Sequence, residues 1–370
     1  MNKINRSAEQ SHNYGIDLLR IVAMWMICSL HVLNRGGVYG SASSSVFSWL
    51  QPLQIVVMCG VNIYALISGY VTVYGRFRPS RVLTLWLQVL FWNLVIAAFG
   101  ELMQPQIMDE FWLRYCFPLT QKCFWYFTAY VGVYAFSPLI NRGILALRSR
   151  QCRALFWAMF LLFSLGTNLG YANQGDPWGI GAGYNVLWLL ALYVMGACVR
   201  HGRLGNRLAW WQLLLIAALC VTGLSLMMNL LPKGNDAGLL VKNLRKHFYD
   251  YHSPWLAIFS VCMLLLFSKL RIGEGLAKQV RFFAPLSFGV YIIHVHHVNW
   301  VWIENLYKPL AKLAPPLALL SVLAAALGLF LVCALLDRLR AELFRMLRVR
   351  SLCEKLEQGF LARLNRPEKE

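Results

Sequence analysis

Long apolar stretches separated by short polar segments follow one another along almost the whole chain. A helix of about 20 apolar residues crosses the hydrocarbon core of a bilayer, and a helix also pairs its own backbone groups there. The fourth and fifth stretches are short, which predicts tilted or partly re-entrant segments. The pattern predicts an all-α, polytopic integral membrane protein with about ten transmembrane helices, at residues 16–35, 50–74, 82–103, 124–140, 154–171, 184–199, 208–231, 254–270, 282–303 and 316–336.

Basic residues are distributed unevenly among the segments that join these stretches. With the N-terminus in the cytoplasm, the cytoplasmic segments carry 25 of the 35 Lys and Arg residues, as the positive-inside rule requires. Both termini are therefore predicted to be cytoplasmic. The exception is the external loop 232–253, which indicates either a miscounted span or a loop that captures an acidic acceptor, and which holds Lys233, Lys242, Arg245 and Lys246.

The same pattern divides the chain into a transmembrane domain, residues 1–336, and a basic cytoplasmic tail, residues 337–370. In the tail, Arg alternates with Leu, Phe and Met as far as Arg348. This alternation favours an amphipathic helix on the anionic cytoplasmic leaflet. Ordinary topogenic charge explains it equally well.

Composition excludes a soluble protein. The chain is 58% hydrophobic and 14% charged, whereas soluble domains contain about 25% charged residues. The net charge of +19 does not predict nucleic-acid binding, because the basic residues lie between apolar spans and not on one soluble module. Most of the ten cysteines lie in or beside spans, while Cys116 and Cys123 share an external loop where a disulfide could form.

The first span contains three ionisable residues, Asp17, Arg20 and His31. Such residues are costly in a bilayer and usually face a protein interior or a wet cavity. Arg20 and His31 are eleven residues apart, so both project from the same side of a helix over a length of about 16 Å. Asp17 can pair with Arg20 one turn away. A simpler account has Asp17 and Arg20 snorkelling to the interface and His31 bonding a neighbouring carbonyl.

Several motifs resemble the membrane acyltransferase-3 family, which includes O-acetyltransferases of surface polysaccharides. Arg20, ten residues and then His31 are similar to its Arg-x10-His signature. The family more often has Pro and Phe where this chain has Asn62-Ile63-Tyr64. Further matching segments, in the family's order, are Ser68-Gly69-Tyr70, Arg78-Pro-Ser-Arg81, Phe124-Trp125-Tyr126-Phe127 with Tyr134 and Ser137-Pro138-Leu139, and Ser287-Phe-Gly-Val-Tyr291-Ile-Ile-His294.

The resemblance implies an O-acetyltransferase-like enzyme of the bacterial cytoplasmic membrane. It would move an acyl group, most often acetyl in this family, from cytoplasmic acyl-CoA to a hydroxyl of a cell-surface or lipid-linked glycan. Acetyl-CoA would be a co-substrate, with no tightly bound cofactor. His31 would act as general base, since imidazole titrates near neutral pH, and Arg20 would hold the donor's pyrophosphate or orient its thioester.

The other site residues follow from the same resemblance. Arg76, Arg78 and Arg81 would bind the phosphates of CoA, and Ser68, Gly69 and Tyr70 would lie beside its arm. The arginines could instead be topogenic, and Ser68 and Gly69 could serve helix packing. The predicted acceptor-binding residues are Trp125, Tyr126, Tyr291 and His294. Trp125 and Tyr126 could instead belong to the interfacial aromatic belt.

Other functions stay open at this stage. A transporter or flippase for a glycan or lipid-linked substrate also needs polar residues within its spans, and a membrane module serving a partner is a third class. No metal is expected, because His294, His296 and His297 lack supporting Cys or carboxylate spacing. A homo-oligomer is compatible with the sequence, which names neither the acyl group nor the acceptor.

Overall fold

The computed structural model describes residues 12–103, 113–121, 123–172, 175–231 and 238–364. Among these residues the regular secondary structure is entirely helical, as predicted. Lys233 and most of the stretch that precedes Gly238 lie outside the described residues. The helices are α1 Tyr14–Leu33, α2 Ser44–Met58, α3 Gly60–Thr72, α4 Pro79–Met103, α5 Leu113–Cys116, α6 Trp125–Ala146, α7 Ser149–Phe160, α8 Thr167–Ala172, α9 Val186–His201, α10 Trp210–Leu230, α11 Leu239–His247, α12 Pro254–Ser268, α13 Glu274–Phe283, α14 Ser287–Val295, α15 His297–Ile303, α16 Pro315–Met346 and α17 Val349–Leu364.

Six helical segments of the described chain are long and apolar enough to cross a membrane. A multi-pass membrane protein is therefore supported, while the count of about ten spans and the orientation of the termini stay predictions. Two further apolar helices, α9 and α12, are shorter, with 16 and 15 residues. The six segments are Tyr14–Leu33, Ser44–Thr72, Pro79–Met103, Ser149–Tyr171, Trp210–Leu230 and Pro315–Met346.

Two of the predicted spans are broken helices. The second divides at Cys59 into α2 and α3, and the ninth divides at His296, whose ψ of 136° is extended, into α14 and α15. The fifth begins at Ser149, five residues before the predicted limit of 154, and within it a π-helical turn at Leu161–Gly166 joins α7 to α8. Such breaks and π turns often occur at functional sites.

The bundle has two ends, here called the Tyr14 end and the Leu33 end after the limits of α1. At the Tyr14 end the side-chain amide of Asn13 donates to the backbone carbonyl of Ser268, 2.9 Å away. At the Leu33 end the Tyr307 amide donates to the carbonyl of Gly36, 3.0 Å away. These bonds attach the residues that flank both ends of α1 to parts of the chain that are distant in sequence.

Among the described helices, α3 and α9 have the most extensive contact. A Cβ added at Gly69 would lie 1.8 Å from the carbonyl oxygen of Tyr193, and one at Gly196 would lie 2.1 Å from that of Leu66. Small residues at membrane helix interfaces allow backbones to approach in this way. Gly69 is therefore required by packing, and its open side is occupied by α9.

The last long helix extends ten residues past the predicted limit at 336, to Met346. The division between transmembrane domain and tail at 336 thus falls inside α16. The alternating segment that ends at Arg348 is the end of this helix, and a separate helix, α17, follows it. Along α17, Leu352, Leu356 and Phe360 are exposed, while Glu357 accepts a bond from the Ser80 amide at 3.2 Å.

Asp337 of α16 is completely buried, and every bond to its carboxylate comes from inside the bundle. Arg340 donates to both oxygens at 3.0 and 2.6 Å, Gln88 donates at 3.2 Å, and the Trp92 indole donates at 2.7 Å. The carboxylate lies against Gly289 of α14, where an added Cβ would be 2.0 Å from Cγ of Asp337. Asp337 therefore joins α4, α14 and α16. The described residues contain no disulfide, and Cys116 and Cys123 are not bridged.

Asp337→Ala should lower the free energy of unfolding by about 3–5 kcal/mol, because it leaves the guanidinium of Arg340 buried without its carboxylate. Thermal unfolding of the detergent-solubilised protein measures this loss. Arg338→Ala is the matched control, since Arg338 pairs with Glu342 at the surface and exposed pairs contribute about 0–1 kcal/mol. Equal losses in the two variants would contradict a special role for Asp337.

Candidate active site

His31 lies near the Leu33 end of α1 and lines a cavity of about 440 Å³. The walls are mostly apolar and aromatic, with no Asp or Glu among the lining residues. Such concave apolar sites with a few polar groups are typical of substrate pockets. Besides His31 the cavity, called here the histidine cavity, is lined by Met24, Ile27, Leu30, Asn34, Arg35, Met58, Val61, Tyr64, Trp125, Tyr126, Tyr184, Tyr251, Phe288, Tyr291, Val295 and Trp300.

A chain of two hydrogen bonds orients the His31 ring. The Nδ1 of His294 lies 2.6 Å from the carbonyl oxygen of Val290, so this nitrogen carries the proton in the neutral ring. The Nε2 of His294 is then an acceptor, and it lies 2.9 Å from Nδ1 of His31. His31 must donate from Nδ1, which leaves a lone pair on its Nε2. That lone pair is in the state that a general base requires.

The predicted acceptor residues and His31 come together in this cavity. Trp125, Tyr126 and Tyr291 line it, and His294 bonds His31 directly. The rings of Tyr126 and Tyr291 lie 6.1 Å apart between centroids. The Tyr291 hydroxyl is buried and has no hydrogen-bond partner among the described residues.

Sequence reasoning missed five aromatic residues of the cavity, of which Phe288 lies on α14 beside Tyr291. Tyr64 stands in the segment where the family pattern is not followed, Trp300 lies on α15, and Tyr184 and Tyr251 belong to loops at the Leu33 end. Tyr184 and Tyr251 pack with ring centroids 4.8 Å apart, and Tyr184 lies 4.9 Å from Trp125. Apart from their aromatic character, the two loop residues carry no sequence signal, since nothing shows that loops fold back over a cavity.

The loop that carries Tyr251 is fixed by buried polar contacts. The Asn62 side chain donates to the carbonyl of Tyr251 at 2.7 Å and accepts from the Trp188 indole at 3.0 Å. The next residue, His252, is fully buried, and neither ring nitrogen has a partner among the described residues. Burial, together with the charge of nearby His247, lowers the pKa of His252 to about 4. This imidazole therefore stays neutral near pH 7.

Arg20 does not line the histidine cavity. It lies in a second pocket, of about 380 Å³, at the Tyr14 end with Asp17, Tyr70 and Arg200. The predicted pair is present, with Nη1 of Arg20 2.5 Å from the Asp17 carboxylate. Tyr64 connects the two regions, because its ring lines the histidine cavity and its hydroxyl donates to the carbonyl of Arg20 at 2.8 Å.

The three predicted donor arginines are divided between two places. Arg76 and Arg81 line a pocket of about 320 Å³ at the Tyr14 end, together with Arg142 of α6. Arg78 lines a different pocket, which Arg76 also lines and where Glu354 and Glu357 of α17 lie. The Arg-x-x-Arg element therefore presents its two arginines to different surroundings, and Arg142 was missed because it belongs to a separate segment.

Ser68 and Tyr70 have internal partners. The Ser68 hydroxyl donates to the carbonyl of Tyr64 in its own helix at 2.9 Å. The carbonyl of Tyr70 accepts from Nη1 of Arg200 at 2.8 Å, and the Tyr70 ring lies 5.2 Å from that guanidinium. Of Ser68, Gly69 and Tyr70, the structure thus brings Tyr70 into a pocket, the one that Arg20 lines.

Three tyrosines lie about one turn apart along α6, between the two ends of the bundle. Tyr126 lines the histidine cavity, Tyr134 lines the pocket of Arg76 and Arg81, and Tyr130 lies between them. Tyr130 interacts electrostatically with both Arg20 and Arg81. At 1.5 Å per residue, Tyr126 and Tyr134 are about 12 Å apart along the helix. In the described part of the chain no three His, Cys, Asp or Glu side chains gather as a metal site.

Comparison with known proteins adds one match. A family model described as an acyltransferase domain, acyltransferase family 3, matches residues 13–338. No curated protein and no solved structure matches the chain. The matched range contains α1 to α15, most of α16, and every residue named above for the histidine cavity.

The hydrogen-bond chain predicts that both His31 and His294 carry their proton on Nδ1. Nitrogen-15 chemical shifts of the labelled imidazoles near neutral pH measure this tautomer directly. In His294→Phe the acceptor for His31 is lost, so the His31 ring should show a mixture of the two tautomers. A wild-type His31 protonated on Nε2, or an unchanged spectrum in the variant, would contradict the orientation described here.

Proposed function

The chain belongs to the acyltransferase-3 family and is a membrane acyltransferase, and on that premise we propose that it is an O-acetyltransferase acting on glycans. It moves an acyl group, acetyl in the first instance, from cytoplasmic acyl-CoA to a hydroxyl of a cell-surface or lipid-linked glycan. The observation that carries the proposal is the lone pair of His31 Nε2, oriented by His294 in an aromatic cavity. The proposed location is the bacterial cytoplasmic membrane.

The proposed chemical step is a direct transfer with His31 as general base. Nε2 of His31 takes the proton of the acceptor hydroxyl as its oxygen attacks the thioester carbonyl carbon. The tetrahedral intermediate collapses when the carbon–sulfur bond breaks. The departing sulfur takes the proton from His31, so CoA leaves as the free thiol and His31 returns to its neutral form. The unpartnered hydroxyl of Tyr291 is suited to donate a hydrogen bond to the oxyanion of that intermediate.

His294 supports this step as a positioning residue. It contacts His31, and its own ring is held by the Val290 carbonyl. When His31 gains a proton on Nε2 it becomes a cation, and the bond from Nδ1 to neutral His294 then becomes charge-assisted and stronger. The arrangement therefore stabilises the protonated base that the reaction forms.

The donor would reach His31 from the Tyr14 end, which the distribution of basic residues predicts to be cytoplasmic. Arg20 and His31 are separated by eleven residues, or about 16 Å along α1. An extended phosphopantetheine arm is comparable in length. With its phosphates near Arg20 and Arg81, acyl-CoA could therefore present its thioester in the histidine cavity, beside the phenols of Tyr130 and Tyr126.

The acceptor would occupy the aromatic half of the cavity at the Leu33 end. Faces of Trp and Tyr suit the apolar C–H faces of a sugar ring, and Trp125, Tyr184 and Tyr251 form one such wall. Asn34 and Arg35 supply polar groups at the same end. A glycan hydroxyl placed between this wall and His31 would meet the donor arriving from the opposite end.

His31→Ala should lower kcat for acetyl transfer by about 10²–10⁴-fold, the usual contribution of a general base, while the protein still inserts and folds. The assay uses purified protein in lipid nanodiscs with radiolabelled acetyl-CoA and a glycan extract, and mass spectrometry identifies the modified sugar. His201→Gln, which changes an imidazole outside the cavity, is the control. Substantial transfer by His31→Ala would refute the base, and glycan movement without acetylation would favour a flippase.

Arg81→Ala should raise KM for acetyl-CoA about tenfold, the effect of one charge-assisted hydrogen bond, with a smaller change in kcat. Arg78→Ala should affect KM less, because Arg78 lies in the pocket that Glu354 and Glu357 share. Initial rates at varied donor and acceptor concentrations separate the two substrates. An effect of Arg81→Ala on the acceptor KM alone would contradict a donor role.

A further inference from the structure

The pocket at the Tyr14 end lined by Arg76, Arg81 and Arg142, called here the arginine pocket, has an unusual charge balance. Its lining contains three guanidinium groups and no Asp or Glu. None of the three arginines forms an ion pair with a carboxylate of the described chain. Guanidinium groups without protein anions are typical of sites that bind phosphates.

The same pocket contains an aromatic pair. The rings of Phe77 and Tyr134 are stacked, with centroids 5.1 Å apart and planes inclined by 29°. The Tyr134 hydroxyl is fixed by the backbone of Arg78, at 3.1 Å from the amide and 3.2 Å from the carbonyl oxygen. Phe77 is 44% exposed, so a planar base has a ring on which it can stack. Phosphate and base are the two recognition elements of a nucleotide.

The pocket of Arg20 differs in its charge. Arg20 is paired with Asp17, and Arg200 is committed to the carbonyls of Tyr70 and Val71, at 2.8 and 3.2 Å. A carboxylate, that of Asp17, therefore lines that pocket, whereas no carboxylate lines the arginine pocket. Tyr130 interacts electrostatically with Arg20 and with Arg81, so it lies near both arginines.

Along α6 these groups follow one another in a fixed order. Tyr126 at the histidine cavity is followed by Tyr130 beside Arg20 and Arg81, then by Tyr134 of the aromatic pair, and then by Arg142. An acyl-CoA molecule has a matching order of thioester, pantetheine arm, diphosphate and phosphorylated adenosine. Tyr130 and Arg142 are about 18 Å apart along the helix, which leaves room for the nucleotide.

We propose that the arginine pocket binds the 3′-phosphorylated adenosine of the donor, with Arg142 on the 3′-phosphate and the base on Phe77. The diphosphate then lies next to Tyr130, between Arg81 and Arg20. This inference rests on the proposed function, because it assigns part of the same donor. It makes Arg142 the residue that distinguishes CoA from its 3′-dephosphorylated form.

The test compares acetyl-CoA with 3′-dephospho-acetyl-CoA in nanodiscs. The wild type should prefer acetyl-CoA by about tenfold or more in kcat/KM, the value of one charge-assisted bond. Arg142→Gln should raise KM for acetyl-CoA and leave KM for the dephospho donor unchanged, so that the preference disappears. Arg150→Gln, an exposed arginine of α7, should behave as wild type. No preference in the wild type, or equal losses with both donors, would overturn the assignment.

Binding separates this inference from the proposed reaction. Adenosine 3′,5′-bisphosphate should bind wild-type protein about tenfold more tightly than 5′-AMP, and Arg142→Gln should bind the two equally, with an unliganded melting temperature equal to that of the wild type. This result supports the pocket even if no acetyl transfer is detected, in which case only the proposed function fails. Equal affinity of the wild type for both nucleotides overturns the pocket.

Discussion

The approach of α14 to α1 is the constraint on which the candidate site depends. His294 can accept from His31 only if the two helices are in contact over this turn, since the bond is 2.9 Å long. On its other side α14 is held by the carboxylate of Asp337, which lies against Gly289 and accepts bonds from Arg340, Gln88 and Trp92. In a bilayer such a carboxylate has no water to satisfy it, so all its partners must come from the protein.

The two ends of the bundle provide different electrostatic environments. At the Tyr14 end the pockets are lined by guanidinium groups and resemble the surface of an anion-binding protein. At the Leu33 end the histidine cavity is largely aromatic. Electrostatic interactions are stronger in such apolar surroundings than in water. In the proposed reaction, the charged part of the donor would be held at the Tyr14 end, while its thioester would lie in the apolar histidine cavity, where proton transfer and oxyanion binding are more effective.

Sequence reasoning reached the helical class, the motifs of the matched family and the residues that surround His31, because each has a local signal. Apolar length predicts helices, and an ionisable residue within a span indicates an interior face. The breaks at Cys59 and His296 were not predicted, since the apolar pattern continues through them. Asp337 was assigned to the tail, because its partners Gln88 and Trp92 are remote in the chain. Tyr184, Tyr251 and Arg142 were missed for the same reason, and Gly69, predicted to lie beside the donor, packs against α9.

The contact between Gly289 and Asp337 also limits which substitutions this protein can accept during evolution. The carboxyl group occupies the volume that any larger side chain at 289 would need, so neither position can be altered alone without loss of the other's fit. A residue with a Cβ at 289 is compatible only with a shorter side chain at 337, and that exchange would strand Arg340. Positions 289, 337 and 340 should therefore covary as a triplet among homologous sequences, a signature that records helix contact without any reference to substrate.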